Sequence, residues 1–71
     1  MRKGLDEESR NHIAKLVSNN AQGSAVREAI RLRVRSTNFD YGKNIEFLDW
    51  LRRKEYGQSA DYLVRLLEGR E

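Results

Sequence analysis

The chain has 71 residues, a formal net charge of +3, and neither cysteine nor proline. That length makes one small domain with a lean core, of the kind that often needs a partner for stability. Without cysteine there are no disulfides or thiolate metal sites, which fits a reducing cytoplasm. No apolar run is long enough to span a bilayer, and the amino end lacks the apolar centre of a signal peptide.

Charge is placed unevenly. Residues 1–35 carry eight Lys/Arg against four Asp/Glu, and residues 36–71 carry six against seven. A basic half beside a near-neutral half points to one surface facing an anionic partner, or to a solvated helix face.

Met1 to Leu5 reads as a frayed end or a brief strand. Asp6-Glu7-Glu8 then opens a helix, with an N-cap acid and two carboxylates where the macrodipole favours negative charge. Ile13, Leu16 and Val17 form its apolar stripe, and Ser18 to Gly23 is a polar, glycine-ended loop. Ser24 is placed to cap a second helix in which Val26, Ala29 and Ile30 face inward. Arg27, Arg31 and Arg35 are four apart and share one stripe if that helix persists.

From Arg33 to Asp40 the helical period is lost. Strand and extended linker are both open readings, since Val34, Thr37 and Phe39 tolerate extended backbone. Asp40-Tyr41-Gly42-Lys43 is a turn signal. Ile45, Phe47, Leu48, Trp50 and Leu51 then give a wide apolar face, the mark of a central helix or of one covered by a partner. A last helix runs from about Ser59, which is placed to cap it, and buries Leu63, Leu66 and Leu67. It stops near Gly69, a natural C′ residue.

His12 is the sole histidine, so neither a catalytic triad nor a multi-histidine metal site can be assembled. Glu7 and Glu8 are adjacent and diverge on a helix, and no glycine-rich phosphate loop is present. An enzyme, a cofactor and a metal are therefore not expected.

Leu5-Asp6-Glu7-Glu8, with Ile13 and Leu16 behind it, and Arg27-Glu28-Ala29-Ile30-Arg31 resemble the strand end, first helix and second helix of the ribbon-helix-helix DNA-binding family. Phe39-Asp40, Phe47 with Trp50 or Leu51, and Tyr56 through Leu67 repeat the likeness, so residues 1–34 and 35–71 read as two copies in tandem. The resemblance implies a mainly α fold with four short helices and one or two short strands, formed as an intertwined homodimer. It implies a sequence-specific double-stranded-DNA-binding protein of the autorepressor, antitoxin or plasmid partition and relaxosome accessory type. Under it, Arg2, Ser36 and Asn38 face DNA from a ribbon in the major groove, Gly4 reads nothing, and Arg33 and Arg35 beside the ribbon bind DNA by neutralising phosphates. Ser24, Arg27, Arg31 and Ser59 hold phosphates, and Phe47, Trp50, Leu51, Leu63, Leu66 and Leu67 form the dimer or partner interface. A cognate protein partner is a further expectation. The alternative is an all-helical adaptor or inhibitor, binding protein near Trp50 without reading DNA. Residues 33–39 divide the two: extended, paired backbone favours DNA, and continuous helix favours the adaptor.

Overall fold

The computed structural model describes residues 3–36 and 40–69. Four helices follow one another: α1 (Glu7–Ser18), α2 (Gly23–Arg33), α3 (Tyr41–Arg53) and α4 (Gly57–Leu67). The second pair repeats the spacing of the first, because α3 starts 34 residues after α1 and α4 starts 34 after α2. Packing runs in series, α1 on α2, α2 on α4 and α4 on α3.

The two first helices are capped alike. Asp6 stays extended and accepts the Ser9 N–H at 2.8 Å, and Asp40 accepts the Lys43 N–H at 3.0 Å. Each carboxylate thereby satisfies a first-turn donor that no helical carbonyl can reach. Asp40-Tyr41-Gly42-Lys43 is thus a helix start rather than the expected free turn. After α1 the chain reverses through Asn20 at φ 59, a left-handed conformation that asparagine tolerates. At the far end Gly69, at φ 74, terminates α4 and its N–H bonds the Leu66 carbonyl.

The second helices start differently from expectation. Gln22 and Tyr56 occupy their N-cap positions, and no side chain caps either. Ser24 and Ser59 lie inside the first turn instead, since burying Val26 and Ala60 needs the helices to begin at the glycines before them.

One core runs through all four helices. Leu5, Ile13, Val26, Ile30, Leu51 and Leu63 are wholly buried in it. On α3 the buried face is Asn44, Phe47, Leu48 and Leu51, the spacing of one helical side. Ile45 falls off that side and stays 39% exposed. Trp50 is half-buried, stacked on Phe47 at 5.6 Å between ring centroids.

The ribbon-helix-helix expectation is overturned. Among the described residues there is no strand, only an isolated antiparallel bridge between Gly4 and Arg35 of the same chain. Its two bonds, Gly4 N–H to Arg35 C=O at 2.9 Å and the reverse at 3.0 Å, are not continued among the described residues. Lys3, Arg35 and Ser36 are all exposed, so the segments lack the apolar alternation that would bury one face of a ribbon. Most of the residues expected at a dimer or partner interface lie in the core of the single chain, and Trp50 packs against that core. Phe47, Leu51, Leu63, Leu66 and Leu67 belong to the chain's own core.

Candidate nucleic-acid interface

The site is built where α2 ends. Val34 leaves the helix with φ −67 and ψ 129, so the chain extends just beyond Arg33 and pairs Arg35 with Gly4. In the antiparallel pairing the exposed Lys3 stands opposite the exposed Ser36, one step along from the Gly4–Arg35 pair, and the half-buried Arg33 closes α2 just before it. Leu5 is anchored beneath them: its N–H donates to Asn44 Oδ1 and its carbonyl accepts from Asn44 Nδ2, both at 2.9 Å, and from Arg10 at 2.8 Å. A clamp on both polar groups of Leu5 holds the bridge in position above the core.

Asp6 is the acidic member of this edge. Its carboxyl is held below the ordinary aspartate range, first by hydrogen bonds from Ser9 and then by the positive charges of Arg33 and Arg35. A shallow groove between α1 and α2 runs past these groups, lined by Asp6, Ser9, His12, Leu32, Arg33 and Arg35. Its walls also carry Glu8 and Glu28, so three carboxylates face two guanidinium groups there.

The predicted arginine stripe is broken up. Because α2 stops at Arg33, Arg35 is on extended backbone rather than on a continuing helix face. Arg31 makes a two-pronged contact to Glu28, at 3.0 and 2.6 Å, which pulls the Glu28 carboxyl below its usual range. Arg27 reaches across to Gln58 Oε1 at 3.3 Å. Ser24 is exposed at the start of α2, whereas Ser59 is buried under the start of α4. An 11-residue helix is about 16 Å long, so Ser24 stands near the opposite end of α2 from Arg33, with Arg27 near its middle. Arg2 and Asn38 lie outside the described residues.

Two contributors were not singled out from the sequence. Lys3 is held opposite Ser36 because Gly4 pairs with Arg35. Asn44 is a polar residue on an otherwise apolar helix face, in step with Phe47, Leu48 and Leu51, and that pattern was the available signal. No helix among the described residues is long and apolar enough to cross a membrane. Comparison with protein-family models, curated proteins and solved structures gives no match.

Proposed function

We propose that this protein binds double-stranded DNA through the edge formed by Lys3, Arg33, Arg35 and Ser36. The observation that carries the reading is the reciprocal Gly4–Arg35 bridge, which joins two basic segments on an exposed, extended stretch directly after α2. Lys3, Arg33 and Arg35 neutralise phosphates and set the orientation, and Arg35 and Ser36 are the side chains placed to reach base edges. A two-stranded ribbon lying in the groove is no part of this mechanism. Regulation of transcription in the cytoplasm, by an autorepressor, an antitoxin or a plasmid partition accessory factor, is the biological role that goes with it.

The test is fluorescence anisotropy on the DNA upstream of the protein's own coding region, at two salt concentrations. Each phosphate contact contributes roughly 0.9 to the slope of log affinity against log salt. Arg33→Ala and Arg35→Ala are each expected to weaken binding and lower that slope by about 1. Absence of a complex at both salts removes the proposal and leaves the protein-binding adaptor.

A further inference from the structure

α1 and α3 are the two ends of the packing series, and neither packs closely on the other. An open groove of about 440 Å³ lies between them, with Arg10 and Ala14 on the α1 side and Lys43, Phe47, Trp50 and Arg53 on the α3 side. The core takes one stripe of α3, Asn44, Phe47, Leu48 and Leu51. Lys43, Phe47, Trp50 and Lys54, spaced four, three and four apart, form a neighbouring stripe that is apolar at its centre and cationic at each end. That stripe is about 16 Å long, roughly three helical turns.

The apolar centre of the groove is ordered by its own stacking and left partly open. The Phe47 and Trp50 rings lie 16° from parallel with centroids 5.6 Å apart, and Trp50 is only half-buried. From α1 the apolar contribution is the methyl group of Ala14. The charges around this centre are unbalanced. Arg10, Lys43 and Arg53 stand against one carboxylate, Glu46, which Lys43 meets loosely at 3.9 Å. Arg10 donates to the Leu5 carbonyl, a neutral acceptor that leaves its charge uncompensated. Arg53 is exposed and makes no ion pair among the described residues. Lys54 adds an ammonium 5.8 Å from the centre of the Trp50 ring.

We propose that this groove docks an acidic segment of a partner protein, which seats a large apolar side chain against Phe47 and Trp50 and sets carboxylates against Arg10, Lys43 and Arg53. Charge complementarity selects the partner, and tryptophan and arginine are the residue types that anchor such interfaces. Single-stranded nucleic acid is the other anionic candidate, but it binds by stacking bases on open aromatic faces. Here Phe47 is 8% exposed, and the Trp50 ring is already stacked on Phe47 with the Lys54 ammonium over it. Glu46 in the groove wall also repels a phosphate chain. The groove shares no residue with the DNA edge and does not rest on that reading.

The chain has one tryptophan, so Trp50 emission reports on the groove directly. The experiment titrates the full chain with a tryptophan-free helical peptide of about three turns, leucine on one face and glutamate on the other, and follows fluorescence and amide NMR shifts. Saturable changes in Trp50 emission, with amide shifts at Ala14, Phe47 and Trp50, are expected at sub-millimolar peptide and should weaken as salt is raised. Arg53→Glu, at an exposed position, should fold like the parent and bind about fivefold more weakly. Arg33→Gln, outside the groove, should keep full affinity. Absence of saturation overturns the proposal, as does full affinity in Arg53→Glu or equal binding of a peptide with lysine in place of glutamate. Oligothymidine that saturates the same shifts more tightly than the peptide overturns it in favour of single-stranded nucleic acid. Groove shifts that follow protein concentration without peptide overturn it in favour of a second copy of the chain.

Discussion

Asn44 and Leu5 hold each other by both polar groups of the Leu5 backbone: the carboxamide accepts its N–H and donates to its C=O. Asn44 is wholly buried and its Nδ2 also bonds the Asp40 carbonyl at 2.9 Å, so one side chain ties the amino-terminal segment to the start of α3. The basic edge depends on that tie, because Gly4 pairs with Arg35 one residue before Leu5.

Asn44→Ala strands the buried N–H of Leu5 and opens a small void. Loss of about 2–3 kcal/mol of stability is expected in chemical denaturation. Asn44→Asp should be worse at neutral pH, since it places a charge where burial is complete and removes the donor. If both variants denature like the parent, the Leu5 clamp is not holding the segment.

The caps separate hydrogen bonding from charge. Asp40→Ala should destabilise by roughly 1 kcal/mol, with Asp40→Asn near neutral, because asparagine caps as well as aspartate. For Asp6 the consequence is a pH dependence. Its folded-state pKa is depressed, so its stabilising contribution is fully present above the ordinary carboxylate range and is lost as pH falls through that range to the folded value. Asp6→Asn keeps an acceptor for Ser9 but cannot titrate. The stability advantage of the parent over Asp6→Asn should therefore shrink from neutral pH towards about pH 2. A difference that grows on acidification contradicts the assignment.

Core closure within one chain predicts unimolecular folding. Leu63 has no exposed surface, and Leu63→Ala should cost about 2–5 kcal/mol. Ile45→Ser, on the exposed side of α3, should change stability by no more than about 0.5 kcal/mol. The melting temperature should be independent of protein concentration, which differential scanning calorimetry over a hundredfold dilution would check.

Tyr56→Phe removes the donor to Ala21 and leaves the ring in place. A loss of about 1 kcal/mol is expected. A variant that denatures like the parent would show that this bond does not tie the starts of α2 and α4 together.

Helix positions were the most legible feature. Asp6 announces α1 because an acid before a carboxylate-rich first turn satisfies donors locally, and Gly69 ends α4 because the left-handed cap suits glycine; neither depends on distant residues. The apolar spacing likewise identified Ile13, Val17, Val26 and Ile30 as core, whereas Leu51 and Leu63 were assigned to a dimer or partner interface and lie in the chain's own core. Ser24 and Ser59 were misread as caps. Their register is decided by which face of α2 and α4 meets the other, a long-range matter that local grammar does not contain.

The sequence by itself determined four amphipathic helices, their approximate ends and the basic bias of the first half, since capping and periodicity act within a few residues. Tertiary structure alone decided that the greasy faces close on one another inside a single chain, that Arg35 pairs with Gly4, and that Arg31 is occupied by Glu28 while Arg33 and Arg35 are gathered at one edge. These outcomes depend on contacts between residues up to 39 positions apart, as between Leu5 and Asn44. Which partner satisfies a buried donor is settled only when the helices pack, because several acceptors along the chain are chemically equivalent until then.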